Sequence, residues 1–475
     1  MTPPLNPLIA IVGATGTGKS QLAVHLSAHL NGEIINADAL QLYSGLPLLT
    51  NKITIDEQKG VPHHLLGTVG LEEKTWTVGT FRKRALEKCR EIWGRGKVPV
   101  LVGGTAYYVQ NVITGDLLLN KSDRDKDGRG EDEDSEDSAE KWPILEAPTE
   151  EILKELEKVD PVMAQQWHPR DRRKIRRSLE IYLKMGRKAS EIYEEQRRRK
   201  EEAQSQVNVL DDSQDRESAI SPILFIPHMP SSILAPHLTT RIHGMLNSGL
   251  LDEVSSLSQI HNSLISSGHP PDTSRGIWVA IGYKEFMPYI SELIENSQPL
   301  NGKGEASPTQ DKKLEKIKEE AIESMAAHTR QYSHRQLRWL RHKLLPILSP
   351  SLPSYIFPFN SPSLFHENVE IPALSLARLF LSGQSMPLSS NVNALLENSN
   401  VDGGKEGEKL KGGKGERIRK ECEVCGTVAV WEVDWQKHIT SRRHKRSIKG
   451  QKRKLESKEW ERKRLEGENR LLRDW

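Results

Sequence analysis

Gly13-Ala14-Thr15-Gly16-Thr17-Gly18-Lys19-Ser20 has the form G-x-x-x-x-G-K-S, and its flanks restrict the chain to one kind of fold. Before it stands Leu8-Ile9-Ala10-Ile11-Val12, an unbroken apolar run of the kind found in a strand buried on both faces. After it, Leu22, Ala23, Leu26 and Leu30 recur at helical spacing. Strand, glycine loop and helix in this order form a phosphate-binding loop. Glycine lets backbone N–H groups turn inward around phosphate oxygens, and the following helix adds the favourable end of its dipole. Lys19 supplies a full charge, and Ser20 offers a hydroxyl to a metal ion or a phosphate oxygen. The motif specifies a polyphosphate without saying which.

The same alternation continues. Glu33-Ile34-Ile35-Asn36 reads as a second strand, Thr75 to Trp93 as a helix, Val98 to Val102 as a third strand, and Ala106 to Ile113 as a helix after the turn Gly103-Gly104-Thr105. Ile223 to Ile226 is a further strand, and Leu238–Leu257, Ile277–Leu293 and Leu314 to about Leu344 read as helices. Strands alternating with helices predict an α/β fold, a parallel-sheet core like that of P-loop NTPases. Ligands of such sheets sit beyond the carboxyl ends of the strands, so the loop, Asp38 and Thr105 are expected to meet in one crevice.

Composition divides the chain further. Residues 123–140 hold ten Asp/Glu against three Lys/Arg and read as a disordered acidic insertion. The expected organisation is a first core segment (1–116), a mostly helical insertion (117–206), a second core segment (207–345), a largely flexible Pro/Ser-rich and Gly/Lys-rich linker (346–415), a finger (416–446) and a basic tail (447–475). Three cysteines exclude a disulfide framework and suit a reducing compartment. Cys89 sits on an apolar helical face as a small core residue. No apolar run reaches the length of about 18 residues that a membrane helix needs. With the first strand so near the N-terminus, no leader is expected within this chain, and a matrix-targeted form starting upstream stays open. The expected location is the cytoplasm, with nucleus and mitochondrion open.

Four constellations carry chemistry. Asp38 follows a strand end, where a carboxylate can hold a metal ion, accept a proton or cap a helix. The strand Val98–Val102 ends in Gly-Gly-Thr rather than Asp, which weakens a nucleotide-hydrolase reading. Thr105 offers a hydroxyl to a phosphate or a base, or caps the next helix; Arg241 is either a second cation for the phosphates or a surface residue. In Asp171–Met185, Arg172, Arg173, Lys174, Arg176 and Arg177 form a basic face that favours nucleic acid, and Ile175, Leu179, Ile181 and Leu183 form an apolar one. Last, Cys422-x2-Cys425-x12-His438-x5-His444 has zinc-finger spacing, with Arg442, Arg443, Lys445 and Arg446 around its final ligand.

Together these stretches resemble the tRNA dimethylallyltransferases, or tRNA isopentenyltransferases. The resemblance rests on Gly13–Ser20, Asn36–Tyr43, Pro62–Leu66, Gly103–Tyr108, Asp171–Glu180, Gly249–Val254, Gly276–Glu285 and Thr329–Tyr332, and the finger is similar to the U1-type finger of eukaryotic members. The chain departs from the family pattern at Ala39, Lys174, Val279 and His334. The resemblance implies transfer of a dimethylallyl group from dimethylallyl diphosphate to the N6 amine of the adenine just 3′ of the anticodon, with release of diphosphate. It makes Asp38 the general base and Lys19, Ser20 and Arg241, with the rest of Gly13–Ser20, the diphosphate holders. Thr105 would contact the flipped base or its phosphate. Asp38, Ala39, Leu40 and Gln41, with Arg173, Lys174, Ile175, Arg176 and Arg177, would grip the tRNA anticodon stem-loop. Mg2+ is the expected companion of the diphosphate, Zn2+ of the finger, and the chain is expected to act as a monomer. The competing readings are a P-loop kinase or ATPase acting on RNA and a non-catalytic RNA-binding protein.

Overall fold

The computed structural model describes residues 2–73, 75–114, 142–195, 198, 220–297, 308–348, 352–389, 417–453 and 456–457. The acidic stretch 123–140, the Gly/Lys-rich stretch 401–415 and the tail beyond 457 lie outside the described residues. In chain order the main elements are β1 (Pro7–Ile11), α1 (Lys19–His29), β2 (Gly32–Asn36), β3 (His63–His64), α2 (Val78–Gly94), β4 (Val98–Val102), α3 (Ala106–Ile113), α4 (Thr149–Val159), α5 (Pro161–Gln166), α6 (Arg172–Met185) and β5 (Ser221–His228). Then come α7 (Ser231–Asn247), α8 (Leu250–Ser266), α9 (Tyr283–Ser297), α10 (Pro308–Trp339), β6 (Ser354–Pro358), α11 (Ile371–Leu381), β7 (Arg417–Glu421), β8 (Val428–Trp431) and α12 (Glu432–Thr440).

The chain forms two compact units: residues 1–132 with 211–403, and residues 133–210 with 404–475. The first is built on a six-stranded sheet in the order β3-β2-β4-β1-β5-β6, every neighbouring pair parallel. β1 lies between β4 and β5, with Ile9 opposite both Val100 and Ile223. Leu8, Ile9, Ala10 and Ile11 are wholly buried because helices cover both faces. On one face Ile9, Ile11, Val100 and Phe225 pack with Leu22 and Leu26 of α1 and with Ala373 and Ala377 of α11. On the other, Ala10, Leu101 and Leu224 pack with Phe81, Val109, Ile242, Phe286 and Met325. Cys89 is part of that second layer, and burial pushes its thiol up to about 12, as befits a core side chain.

The expectation of a linker from 346 is corrected over the described part of that segment. Ser354–Pro358 is the sixth strand, with Tyr355, Ile356 and Phe357 buried, and Phe359, Phe365, Val369 and Phe380 join the core against α1. The prolines that read as linker stand where they do not break structure. Pro362 opens a short 3-10 turn, where a missing N–H costs nothing. The expected helix Leu238–Leu257 is two helices, parted at Gly249 with φ 103°.

β2, which carries the chain into Asp38, is fastened by a buried carboxylate. Glu33 accepts from Arg95 Nη2 at 2.6 Å, Lys97 Nζ at 2.9 Å and the His64 ring at 2.7 Å, tying β2 to β3 and to the turn before β4. Burial alone would raise its pKa, but the hydrogen bonds from Arg95, Lys97 and His64 outweigh it and hold the group down at about 2. The depressed value means that this contribution to stability is full above pH 4.5 and fades as the pH falls toward about 2. Glu33→Gln is expected to cost about 1–3 kcal/mol in urea unfolding at pH 7, because Arg95 and Lys97 lose their charged acceptor. The loss relative to wild type should shrink in the same titration at pH 3.

In the second unit, Ile152, Leu153 and Leu156 of α4, Met163 of α5, and Ile175 and Leu179 of α6 enclose a small core. Buried Asp160 fixes its corner by accepting from Met163 N at 3.1 Å and Ser190 N at 2.8 Å. β7 and β8 form an antiparallel ribbon, followed by α12. Among the described residues, the His168 ring meets the Val428 carbonyl of the ribbon at 3.2 Å, and Arg419 pairs with Glu157 at 3.5 Å.

Candidate active site

The glycine loop leaves β1 and delivers the N-terminus of α1. Gly16 and Gly18 take φ of 82° and 76°, a left-handed conformation that side chains resist. A Cβ on Gly18 would also overlap the ring of Phe365, which lies across the loop. Within the loop the Ala14 carbonyl accepts from Thr17 Oγ1 at 2.9 Å and from Lys19 Nζ at 2.7 Å. The lysine is thus held against its own loop. Burial lowers its pKa to about 8, Asp38 opposes that shift and Arg241 adds to it. Arg241, on α7, donates from Nη2 to Thr15 Oγ1 at 3.1 Å. Its Nε is buried without an acceptor among the described residues, and burial lowers its pKa to about 10. The surface-arginine reading of Arg241 is therefore excluded.

Asp38 stands at the end of β2 on a turn that its neighbours specify. Asn36 Oδ1 accepts from Asp38 N at 3.1 Å, while Asn36 Nδ2 donates to the Leu65 carbonyl at 2.9 Å. Asp38 Oδ1 accepts from Leu40 N at 3.1 Å. No helix follows, so the cap reading gives way to an Asx-type turn that leaves the carboxylate facing the crevice. Burial raises the Asp38 pKa above 3.8, against the pull of the Leu40 N–H and of Lys19. Thr105 Oγ1 accepts from Ala39 N at 3.0 Å, so the hydroxyl positions the turn rather than capping α3. A side chain at Gly103 would overlap the backbone of Ala37, and one at Gly104 would come within 2.7 Å of Asp38 Oδ2. The Gly-Gly-Thr turn is what lets β4 approach Asp38 so closely.

Gln336 of α10 joins the two halves: its Oε1 accepts from Thr15 N at 2.8 Å and its Nε2 donates to the Gly104 carbonyl at 2.9 Å. Tyr332, one turn earlier, hydrogen-bonds with Gln336 and Thr105, and burial raises its phenol pKa well above 10. Nothing in the sequence marked Gln336. It sits in a charged helical run, and its importance comes only from where the helix returns. Lys52, held by the Gly45 carbonyl and Thr50 Oγ1, has its pKa lowered to about 8 by burial.

These groups line one cavity of about 570 Å³ that includes Thr15, Lys19, Ser20, Asp38, Gln41, Lys52, Gly104, Arg241 and Gln336. Leu40 and Ala39 lie on its turn, while Gln41 also donates to the Asn51 carbonyl at 2.8 Å. Four cations, Lys19, Lys52, Lys59 and Arg241, and three carboxylates, Asp38, Glu57 and Glu370, line it. The arrangement suits a polyanion on the loop side and a proton-losing group at Asp38.

In the second unit the basic helix separates into two roles. Arg172 donates to the Ala147 and Leu145 carbonyls, and Arg176 to the Leu145 carbonyl and Glu146, so both fasten the preceding turn. Ile175 is wholly buried and cannot touch a nucleic acid. Arg173, Lys174 and Arg177 are exposed; Lys174 pairs with Asp171 and Arg177 with Glu180. Farther on, Cys422, Cys425, His438 and His444 bring their ligand atoms within 4.8 Å of one another. Cys422 Sγ lies 3.4 Å from His444 Nδ1, and Cys425 Sγ lies 3.4 Å from His438 Nε2. A hydrogen bond from His444 leads the groups that lower the Cys425 thiol to about 6, so two soft donors and two imidazoles can hold a metal ion.

Comparison with known proteins agrees in kind. The IPP transferase family model matches residues 41–343. The chain is 33% identical to the tRNA dimethylallyltransferase of Schizosaccharomyces pombe over 95% of this chain and 97% of that protein. It is 30% identical to the human tRNA dimethylallyltransferase, over 95% of this chain and 87% of that one. Among solved structures, a eukaryotic dimethylallyltransferase acting on tRNA superposes with a TM-score of 0.70 at 28% identity, covering 96% of this chain and 99% of that one. Among the described residues no helix is long and apolar enough to cross a membrane.

Proposed function

The chain belongs to the IPP transferase family, and on that premise we propose that it transfers a dimethylallyl group from dimethylallyl diphosphate to the exocyclic amine of an adenine beside the tRNA anticodon. The observation that carries this reading is the single cavity in which Asp38 faces Lys19 and Arg241. The diphosphate lies in the loop Gly13–Ser20, its charge met by backbone N–H groups, Lys19 and Arg241. The adenine leaves its stack to reach Asp38. Its N6 forms a bond to the CH2 carbon that carries the diphosphate, the carbon–oxygen bond from that carbon breaks, and the proton lost from N6 goes to the Asp38 carboxylate. Negative charge grows on the departing diphosphate, where the buried cations are worth most. Thr105 and Gln336 act by holding Asp38 and the loop in register rather than by touching the reacting atoms.

Ser20 and diphosphate oxygens are the groups that would hold Mg2+, which suits a metal that keeps several waters. When bound it would neutralise charge on the leaving group. The Cys422, Cys425, His438 and His444 set fits Zn2+, and the spacing of its donors supports a structural role. Arg173, Lys174 and Arg177 are the cations of α6 left to meet tRNA phosphates. Asp38, Ala39, Leu40 and Gln41 would border the extruded base.

Labelled dimethylallyl diphosphate, incubated with the protein and unmodified tRNA, is expected to place label in the tRNA at an adenine next to the anticodon. ATP hydrolysis without prenyl transfer would refute the proposal and favour a nucleotide kinase or ATPase.

A further inference from the structure

A second metal-ligand set lies apart from the cysteines. His25, on α1 one turn beyond Gln21, faces a π-helical turn, His366–Glu370, that follows β6. Single π turns recur at functional sites because the widened turn re-aims its side chains. Here it brings His366 and Glu370 together, with His366 Nδ1 at 2.8 Å from Glu370 Oε2. His25 Nδ1 lies 3.6 Å from the same oxygen. One ligand atom from each of the three residues falls within 4.8 Å of the other two, the closeness also found in the Cys/His set. Glu370 is buried, and Gln21 Nε2 donates to its other oxygen at 3.0 Å, which fixes the carboxylate's orientation as a supporting hydrogen bond does around a metal.

Hydrogen bonding alone accounts poorly for this arrangement. Two imidazoles converge on one carboxylate oxygen, their rings edge to face at 5.9 Å, and His25 Nε2 is buried with no partner among the described residues. If both rings were protonated they would repel each other. If both were neutral, one carboxylate oxygen would have to serve both rings. A divalent cation would accept an electron pair from all three side chains at once. Two imidazoles and one carboxylate are a common zinc set with one position left open, and imidazole disfavours magnesium or calcium.

We propose that His25, His366 and Glu370 form a binding site for a zinc-like divalent transition metal, separate from the Cys/His centre. The metal would link α1, the helix that begins at the phosphate loop, to the π turn after β6. The site does not depend on the prenyl-transfer reading, because the test measures metal and not turnover.

The test is the zinc content of the full-length chain after equilibration with micromolar free zinc and gel filtration. Wild type is expected to retain two zinc ions per chain. His366→Ala, at a largely exposed ligand whose loss leaves the core intact, should retain one, and His25→Gln likewise one. Cys425→Ser should keep the second ion. With cobalt as probe, His366→Ala should keep the thiolate-to-cobalt absorption of the Cys/His centre, and Cys425→Ser should show only weak bands without thiolate character. One zinc per chain in wild type, unaffected by His366→Ala or His25→Gln but lost in Cys425→Ser, would overturn the proposal. So would two ions that neither histidine variant removes. Circular dichroism of each variant checks that the fold is retained.

Discussion

Asp38→Asn is expected to lower kcat for prenyl transfer by about 10²–10⁴-fold, the usual worth of a positioned general base. The substitution is nearly isosteric. An asparagine oxygen can still accept from Leu40 N, and Asn36 still holds the backbone, so the turn survives. What disappears is a group able to take the N6 proton. Affinity for tRNA, measured by filter binding, should change less than about threefold, because an asparagine offers the base a similar contact surface. A variant with near wild-type kcat would remove Asp38 from the chemistry. The pH dependence of kcat/KM gives a second reading of the same residue, since it reports groups of the free enzyme. Activity should rise with pH as Asp38 ionises, at a value above 3.8 because burial disfavours its charged form. It should fall again near pH 8, where Lys19 loses its proton and with it much of its hold on the diphosphate. In Asp38→Asn the residual rate should lose the acid limb and keep the alkaline one.

Much of this site was legible because its parts are local. The phosphate loop, the strand ends at Asn36 and Val102 and the Cys/His spacing are each set by a few consecutive residues whose backbone or ligand demands are narrow. Arg241 was ambiguous in sequence because an arginine on a helix is ordinary until the helix's neighbours are known. Its buried Nε and its bond to Thr15 settle its place. Gln336 was invisible for the same reason, since it reaches Thr15 across 321 residues of chain. The basic face of α6 misled in another way. Arg172 and Arg176 spend their donors on carbonyls of a preceding turn, a use that charge counting cannot distinguish from a nucleic-acid contact. The stretch 346–366 was misread because proline and serine content is a poor guide when Pro362 sits in a first turn and the apolar residues around it, Tyr355, Phe357 and Phe365, are buried.

Lys19→Met should separate activity from stability in opposite directions. The half-buried ammonium lies near another cation, Arg241, while Asp38 and the Ala14 carbonyl attract it. A pKa lowered to about 8 means that the folded protein disfavours this charge. The penalty is full at pH 7, and it fades between about 8 and 10.5 as the folded state sheds a proton that the unfolded chain retains. Methionine fills nearly the same space without a charge. The variant is therefore expected to be more stable than wild type at pH 7, on the order of 1–3 kcal/mol in urea unfolding, with the gain vanishing near pH 10.5. Its kcat for prenyl transfer should nevertheless fall by about 10²–10³-fold, because a cation placed where charge develops on the leaving group has been removed. Inorganic pyrophosphate should raise the melting temperature of wild type and leave Lys19→Met nearly unmoved, since a ligand stabilises only the state it binds. Loss of both stability and activity would mean that the lysine's bond to the Ala14 carbonyl is structural. Retention of activity would mean that Arg241 and the loop's backbone carry the leaving group alone. A gain in stability with a loss of rate is the signature of a charge kept buried for its ligand, at the expense of the empty fold.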